Sequence, residues 1–244
     1  MNVAAIICAA GRAKRFGGKK RKPFADVGGR ALFLRSIEVF SGRHDVRQVL
    51  LAILPEDDEW VQIKWGANLK FFNVQVCFGG EHRHETVQKA LEQVKADIDL
   101  VAVHDAARCC VTPDLVDRII ASAAKHGAAI PACPVVGTLK QAENGRILRT
   151  VDRAGLYEAQ TPQVFRTEML KRAYRNLRNL DASQISDDAQ LVEALGEGVA
   201  IVESDASNMK VTYPSDIPIA EAILRSRPSP KPEGPIGPYI EAQW

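Results

Sequence analysis

The feature that most restricts the fold is a regular alternation of short apolar runs with amphipathic helical patterns. Strands are predicted at Val3–Cys8, Val46–Leu54, Phe71–Phe78, Leu100–His104 and Ala128–Cys133. Helices are predicted between them at Ala31–Phe40, Asp57–Gly66, Glu85–Lys95 and Pro113–His126. Strands without a polar face are buried on both sides, and the connecting helices pack on both faces of the sheet. The pattern therefore predicts an α/β fold with a doubly wound, mostly parallel sheet.

The alternation stops after Cys133. Thr138–Gly155 contains two short β-like pieces around Asn144-Gly145, a dipeptide typical of a tight hairpin turn. A lone two-stranded hairpin is marginal in water, so we expect this protruding arm to need a partner surface. The remaining elements are predicted as helices at Thr167–Arg178, Asp187–Leu195 and Pro214–Arg227, with a strand at Val199–Glu203.

These elements predict one domain over residues 1–227, with the arm at about residues 138–155. The following segment, Pro228–Trp244, is rich in proline and is predicted to be a disordered tail.

Composition narrows the class of protein. Hydrophobic residues make up 46% of the chain, charged residues 25%, and the net charge is +2. This is the balance of a globular protein, and the charge is too small to favour nucleic acid or a membrane surface as a partner. No membrane span or signal peptide is predicted. Five cysteines without a Cys-x-x-Cys pair favour reduced thiols, so we expect a soluble, cytoplasmic protein.

Ligands of doubly wound folds bind beyond the carboxyl ends of the strands, so the segments after the strands are the candidate sites. The first strand is followed by Ala9-Ala10-Gly11 and then by seven basic residues between Arg12 and Lys22. Small residues let backbone N–H groups approach an anion, and basic side chains neutralise a triphosphate. The same residues are also compatible with a solvated surface loop. Neither a P-loop nor Gly-x-Gly-x-x-Gly is present, which argues against such ATPases and dehydrogenases.

Two later segments also follow strands. Gly79-Gly80 allows a close turn, and Thr86 stands near the start of the next helix, although ordinary helix-start chemistry explains them too. Asp105 is placed to hold Mg²⁺ against phosphates, with Arg108 placed to bind a second anion. A structural Asp–Arg pair is the alternative there. His104 is expected to be a packed histidine and not a base.

In this order, these segments resemble the 2-C-methyl-D-erythritol 4-phosphate cytidylyltransferases, from about Val3 to Arg227. The most specific motifs are Val103-His104-Asp105-Ala106-Ala107-Arg108, Thr150-Val151-Asp152-Arg153, Thr161-Pro162-Gln163 and Asn208-Met209-Lys210-Val211-Thr212. The resemblance implies a Rossmann-like nucleotidyltransferase that joins CTP to methylerythritol phosphate, releases pyrophosphate and uses Mg²⁺.

The resemblance also implies residue roles. The cytidine nucleotide would be held by Ala9, Ala10, Gly11, Gly79, Gly80 and Thr86. The catalytic cations would be Arg15, Lys22 and Lys210, the first two acting on the α-phosphate and the departing pyrophosphate. Asp105 would ligate Mg²⁺, and the polyol phosphate would lie among Asp105, Arg108, Thr161 and Lys210. The hairpin would cross to the second subunit of a homodimer, where Thr138 and Arg153 would complete the partner's substrate site.

The chain departs from the usual family pattern at Ala13, at Arg21-Lys22-Pro23 and at Gly137. The nearest alternative is a sister cytidylyltransferase for another polyol phosphate, such as ribitol 5-phosphate, because fold and nucleotide loop define only the class. An alternative of another class is a non-catalytic nucleotide-binding homologue, which the altered first loop favours and the retained cations oppose. RNA binding by the basic loop is disfavoured because it lacks interleaved aromatic residues.

Overall fold

The structure is a computed structural model that describes residues 1–12, 16 and 21–227. Within these residues the strands are β1 (Val3–Cys8), β2 (Asp26–Val27), β3 (Arg30–Ala31), β4 (Val46–Ile53), β5 (Val74–Phe78), β6 (Leu100–Asp105), β7 (Ala128–Pro134), β8 (Leu139–Glu143), β9 (Arg146–Val151), β10 (Tyr157–Ala159), β11 (Gln163–Arg166) and β12 (Ala200–Glu203). The helices are α1 (Leu32–Ser41), α2 (Asp58–Phe71), α3 (Arg83–Leu91), α4 (Pro113–His126), α5 (Thr167–Asn176), α6 (Asp188–Glu193) and α7 (Asp216–Ser226).

The central sheet has the strand order β10-β7-β11-β6-β1-β4-β5, and β12 pairs with β7. The pairs β1–β4, β1–β6, β4–β5 and β7–β12 are parallel. β11 is antiparallel to β6 and β7, and β10 is antiparallel to β7. The predicted doubly wound, mostly parallel sheet is confirmed. The antiparallel β10 and β11 escape the sequence pattern because they are only three and four residues long.

Alternation along β1 explains why helices cover both faces. Val3, Ala5 and Ile7 pack into the core on the α1, α2 and α4 side, while Ala4 and Ile6 pack on the α3, α5 and α6 side. All five side chains are fully buried. Burial of each large aliphatic side chain stabilises the fold by roughly 1.5–3 kcal/mol, so a strand that is apolar on both faces has no stable exposed position.

Helix α4 has the predicted bounds because both of its ends carry strong local signals. The Thr112 side chain accepts a hydrogen bond from the Leu115 N–H, and Pro113 occupies the first turn. Gly127 follows with a φ of 92°, a left-handed conformation that glycine adopts without steric cost.

The boundary between α2 and β5 is predicted wrongly. Phe71 belongs to the last turn of α2, and the strand begins only at Val74. The helix ends at Phe71, the chain turns at Asn73, whose φ of 50° is left-handed, and the Phe71 side chain is 82% exposed. Two adjacent phenylalanines therefore imitate the start of a buried strand although one of them faces solvent.

The predicted hairpin arm is present. β8 and β9 pair antiparallel with Leu139 opposite Val151, and positive φ angles at Asn144 and Gly145 form the turn. Every residue of β8 is exposed. The predicted tail, Pro228–Trp244, lies outside the described residues. Among the described helices, none has the length and apolar character that crossing a bilayer requires.

Candidate active site

A cleft of about 170 Å³ lies where β1, β5 and β6 end. The register of the sheet sets Cys8, at the end of β1, beside Asp105, at the end of β6. The cleft is lined by small residues, cations and acids, namely Cys8, Ala10, Gly11, Lys22, Pro23, Glu81, His82, Arg83, Thr86, Asp105, Ala107 and Lys210. Of the predicted site residues, the fold thus brings together Ala10, Gly11, Lys22, Thr86, Asp105 and Lys210.

The wall of the cleft at Ala10 and Thr86 packs closely against Gly79 and Gly80, which are not themselves lining residues. A Cβ on Gly79 would lie 2.4 Å from Cβ of Ala10 and 2.8 Å from Oγ1 of Thr86. Gly80 is equally restricted, since a Cβ there would lie 2.4 Å from Cβ of Glu85. These distances exclude any side chain at the two glycines without displacement of the wall.

The remaining nucleotide candidates have local hydrogen-bond partners. The Ala9 N–H donates to the Ala52 carbonyl at 2.8 Å, and the cleft is lined by Ala10 and Gly11 but not by Ala9. Thr86 is buried, and its hydroxyl accepts from the Gly80 N–H and donates to the His82 carbonyl. It therefore holds the Gly79-Gly80 turn against the start of α3.

Asp105 lies at the centre of the charged side chains in the cleft. Its Oδ2 lies 2.7 Å from Nζ of Lys210, its Oδ1 lies 3.2 Å from Nε of Arg83, and Nε of Arg108 is 3.9 Å from Oδ2. Burial alone would raise the pKa of Asp105, but the surrounding cations outweigh it and hold the pKa well below its ordinary value. The carboxylate is therefore ionised at any physiological pH.

Lys210 reaches the cleft from a segment near the end of the domain. The Val211 N–H donates to the Ala107 carbonyl at 2.9 Å, which fastens this segment to the loop after β6. The motif residue Asn208 donates from Nδ2 to Oε1 of Gln160 and to the Thr161 carbonyl. Three sequence motifs are thereby joined at one edge of the sheet.

Thr161 lies beneath Asp105 and is only 4% exposed. Its Oγ1 accepts from the Asp105 N–H at 3.0 Å and is hydrogen bonded to Nδ1 of His104 at 3.0 Å. Burial lowers the pKa of His104 to about 4, so the ring is neutral at physiological pH. His104 is a packed residue, as the sequence predicts, and Thr161 holds the backbone that carries Asp105.

Arg108 is buried on the other side of Lys210. Its Nη1 donates to the Asn208 carbonyl at 2.8 Å, and its Nη2 donates to the Ala159 carbonyl at 3.3 Å. Arg108 and Lys210 line a second cavity of about 490 Å³. Because Lys210 also lines the first cleft, it stands between the two cavities.

Sequence reasoning missed a buried ion pair behind the cleft. Nη1 of Arg83 lies 2.7 Å from Oδ2 of Asp188, and the Tyr174 hydroxyl donates to Oδ1 of Asp188 at 2.6 Å. Burial alone would lower the pKa of Arg83. The negative charges of Asp188 and Asp105 outweigh this effect and raise that pKa well above its usual value. Arg83 belongs to the Gly79–Arg83 motif and Asp188 follows the Ser186-Asp187 motif, which was the only signal in the sequence.

The two predicted arm residues are not brought to the cleft within this subunit, and the predicted Arg15 lies outside the described residues. Thr138 and Arg153 are exposed on the arm side of the molecule, where Arg153 donates to the Val136 carbonyl. In one subunit, the cleft therefore forms without contributions from the arm.

The acids at the cleft do not form a preassembled metal cage. Within residues 1–12, 16 and 21–227, no three His, Cys, Asp or Glu side chains stand close enough together to hold a metal ion. Asp105 accepts from Arg83 at Oδ1 and from Lys210 at Oδ2, and a carboxylate has about four lone-pair directions in total. It therefore retains capacity for a further ligand bond.

Comparisons with known proteins agree over most of the chain. A family model described as 2-C-methyl-D-erythritol 4-phosphate cytidylyltransferase matches residues 3–226. A relative of that name from Rhodopirellula baltica is 43% identical over 91% of this chain and 95% of its own length. One from Chromobacterium violaceum is 38% identical over 91% of this chain and 98% of its own length.

Solved structures resemble the fold equally well. The crystal structure of 2-C-methyl-D-erythritol 4-phosphate cytidylyltransferase from Thermus thermophilus is 36% identical, with a TM-score of 0.75 over 92% of this chain and 100% of that one. The 4-diphosphocytidyl-2C-methyl-D-erythritol synthase of Anaerococcus prevotii is 26% identical, with a TM-score of 0.79 over 92% and 96% of the two chains.

Proposed function

The chain belongs to the 2-C-methyl-D-erythritol 4-phosphate cytidylyltransferase family, and from this premise we propose that it transfers the cytidylyl group of CTP to 2-C-methyl-D-erythritol 4-phosphate. The observation that carries the proposal is the convergence of Lys22, Arg83 and Lys210 on one cleft that also holds Asp105. Such a set of cations suits the joining of two phosphate-bearing substrates, because phosphoryl transfer depends mainly on positioning and charge neutralisation.

In the proposed reaction, an oxygen of the acceptor phosphate forms a bond to the α-phosphorus of CTP. The bond from that phosphorus to the oxygen bridging to the β-phosphate breaks, and pyrophosphate leaves with the electron pair. A phosphate monoester has a second pKa of about 6, so the acceptor is already ionised at neutral pH and needs no general base. The neutral, buried His104 is consistent with a site that lacks one.

The nucleotide is proposed to lie against Ala9, Ala10, Gly11, Gly79, Gly80 and Thr86. This assignment is supported by Ala10, Gly11 and Thr86, which line the cleft, and by the open space at Gly11, where a Cβ would meet no described atom within 4 Å. Backbone N–H and carbonyl groups at the cytosine edge would then select the base.

Lys22 and Arg15 are proposed to stabilise charge on the α-phosphate and on the departing pyrophosphate. Lys22 lines the cleft and is held by its neighbours, since Pro23 and Phe24 are buried. The ring of Phe24 stacks on Trp65 with centroids 5.3 Å apart. A cation on a well-packed segment loses little freedom when it engages a phosphate.

The acceptor is proposed to occupy the second cavity, with its phosphate directed towards Lys210. Arg108 supports this placement because its buried guanidinium lines that cavity and is charged. Asp105 would contact the acceptor near Lys210, and Thr161 would act from below by fixing Asp105. Lys210, which lines both cavities, would then act on the nucleophile and on the α-phosphate.

Magnesium fits this donor set as an ion shared with the nucleotide. Mg²⁺ in proteins commonly uses one or two carboxylates, with substrate phosphates and water completing an octahedron. We propose that Asp105 would be its protein ligand, through the capacity that its cation contacts leave. When bound, the ion would supply positive charge to the triphosphate.

The arm is proposed to complete the site of a second subunit. Leu139, Ile147 and Leu148 are large apolar residues of the arm that are 37–65% exposed, and such a surface is stable when a partner covers it. Thr138 and Arg153 would then contact the partner's acceptor, which supports a homodimer. The enzyme is proposed to act in the cytoplasm, where the free cysteines of the described residues would remain reduced.

The proposal is tested by pyrophosphate release from purified protein with CTP and Mg²⁺. Release is expected with 2-C-methyl-D-erythritol 4-phosphate and not in the absence of an acceptor. Ribitol 5-phosphate in a parallel reaction identifies the sister activity, which would replace the proposed acceptor if it alone supported turnover. CTP binding without release from any polyol phosphate would overturn the proposal in favour of a nucleotide-binding homologue.

A further inference from the structure

Behind the cleft, a chain of hydrogen bonds and ion pairs links α5 to Lys210. It runs from the Tyr174 hydroxyl to Asp188 (2.6 Å), from Asp188 to Arg83 (2.7 Å), from Arg83 to Asp105 (3.2 Å) and from Asp105 to Lys210 (2.7 Å). We propose that Asp188 and Tyr174 are positioning residues, which act through Arg83 to fix the Asp105 carboxylate and the Lys210 ammonium for the transfer. This inference rests on the proposed function.

Asp188 lines neither of the two cavities described above, yet it is held with unusual completeness. Its side chain is fully buried, and both of its carboxylate oxygens are used, one by Tyr174 and one by Arg83. Its own N–H donates to Oε1 of Gln163 at 3.1 Å, as does the N–H of Ala189. The start of α6 is thereby fixed to β11, so the Asp188 carboxylate has a defined position.

Packing does not require these charges. Burying an ion pair costs desolvation that the attraction between the charges often only balances, and apolar side chains of similar volume hold elements together equally well. α3, α5 and α6 already share an apolar core that includes Val87, Leu170 and Leu191. The chain of ion pairs therefore fixes the positions of the charged side chains and is not needed to hold the three helices together.

The geometry it supplies is a division of the Arg83 guanidinium between two carboxylates. Nη1 is occupied by Asp188 and Nε donates to Oδ1 of Asp105, while Nη2 has no hydrogen-bond partner among the described residues and Oδ2 is left for Lys210. Without Asp188, the guanidinium would be free to turn and bind Asp105 through two nitrogens, in the bidentate manner that guanidinium and carboxylate prefer. Arg83 would then compete with Lys210 for Oδ2, and Lys210 would lose its fixed position.

The first test uses Asp188→Glu and Asp188→Asn, with pyrophosphate release measured below the melting temperature of each variant. Asp188→Glu keeps the charge but displaces the carboxylate, and we expect kcat to fall about 100-fold with KM for CTP within about threefold, as for a small misplacement of reacting groups. Asp188→Asn also leaves a buried guanidinium underpaired, so its Tm should fall by about 10 °C. Tyr174→Phe removes one hydrogen bond and should lower kcat about tenfold with little change in Tm.

The matched control is Asp45→Asn at the opposite end of the sheet. Asp45 accepts from Nε and Nη2 of Arg43 at 3.0 and 2.9 Å, and its carbonyl accepts from the Val3 N–H, where β1 begins. This variant should lose several degrees in Tm without loss of kcat. The positioning role is overturned if Asp45→Asn and Asp188→Asn lose the same amount of kcat for each degree lost in Tm. It is also overturned if Asp188→Glu has wild-type kcat.

Wild-type turnover is measured first, so that an inactive wild type counts against the proposed function and an active Asp188→Glu against this inference. A crystal structure of Asp188→Asn supplies a readout that needs no substrate. Arg83 is expected to bind Asp105 through two nitrogens, with Nζ of Lys210 displaced from Oδ2. A Lys210–Asp105 distance unchanged from 2.7 Å would contradict the inference directly.

Discussion

Nζ of Lys210 lies 2.7 Å from Oδ2 of Asp105, and this pair joins the loop after β12 to the end of β6 at the edge of the cleft. Asp105 is the single carboxylate that Lys210, Arg83 and Arg108 all approach among the ion pairs of the described residues. A negative charge at this place holds together and orients cations that would otherwise repel one another. The same cations are then available to phosphate oxygens.

Asp105→Asn will make the protein less stable at neutral pH, by about 3 kcal/mol, because it leaves buried cations without their anion. The folded pKa of Asp105 lies below its ordinary value of 3.8, so the stabilisation is complete above that pH and is lost as the pH falls through the folded pKa. Urea unfolding of both proteins between pH 3 and 8 measures the difference. A difference that stays constant down to pH 3 would show that Asp105 is not held by its cations.

His104 will make the stability of the protein depend on pH in a higher range than Asp105 does. Its folded pKa of about 4 lies below the ordinary 6.5, so the unfolded chain takes up the proton first as the pH falls from 6.5 to 4. The free energy of unfolding should decrease by about 3 kcal/mol across that range. His104→Gln removes the titrating group, and its stability should be flatter over the same range. An identical slope in the variant would rule out His104 as the cause.

Gly79→Ala and Gly11→Ala will distinguish a side chain that clashes with the protein itself from one that clashes only with a bound nucleotide. Gly79→Ala places Cβ against Ala10 and Thr86, so it should reduce stability by about 2 kcal/mol. A Cβ at Gly11 meets no described atom within 4 Å, so Tm should not change, whereas KM for CTP should rise about tenfold if the nucleotide lies there.

Gly42→Ala is the control for both variants. A Cβ at Gly42 also meets no described atom within 4 Å, and Gly42 follows α1 away from the cleft. It should change neither Tm nor KM by more than experimental error. A Gly11→Ala enzyme with an unchanged KM for CTP would remove Gly11 from the nucleotide site.

Lys22→Ala will lower kcat more than it raises KM for CTP, if Lys22 stabilises charge that develops during transfer. An interaction made only in the transition state appears in kcat, and uniform binding appears in KM. A loss of kcat of about 100-fold is expected by analogy with the removal of one donor to a transition-state charge. Lys125→Gln, in the last turn of α4, is the control. A rise in KM alone would mean that Lys22 only holds the nucleotide.

Mixing Lys22→Ala with Arg153→Ala will restore activity if the site is shared between subunits. Each variant should be inactive as a homodimer, since Lys22 serves its own site and Arg153 serves its partner's. In a mixed dimer one site carries both changes and the other carries neither. Random exchange makes about half of the dimers mixed, so activity should return to roughly a quarter of wild type.

The mixture must be refolded together or co-expressed so that subunits exchange, and mass spectrometry of differently tagged chains verifies the exchange. The reference activity is that of wild-type protein diluted with an inactive protein that does not exchange subunits with it. Absence of recovery despite proven exchange would place Arg153 in its own subunit's site or outside any site.

The sequence by itself determined the elements whose signals are local. β1 could be predicted at its observed bounds because every residue from Val3 to Ile7 is apolar, and α4 because Thr112 and Gly127 mark its ends. The hairpin turn could be predicted from Asn144-Gly145, since few other residues adopt positive φ at both positions. The candidate residues Ala10, Gly11, Thr86, Asp105 and Lys210 were found because each follows a predicted strand or belongs to a specific motif.

Only the tertiary structure decided which partners the candidate residues have in the folded chain. The family resemblance implies that Thr161 contacts the substrate, and the structure adds that its hydroxyl lies beneath Asp105, where it accepts from the Asp105 N–H and is hydrogen bonded to His104. Asp188 gave no separate signal, because an acid at a helix start is normally exposed, and the burial of this one depends on β11, α5 and α3 together. A residue's type and spacing predict what it is able to bind, whereas its partner in the folded chain depends on which elements the sheet order places side by side.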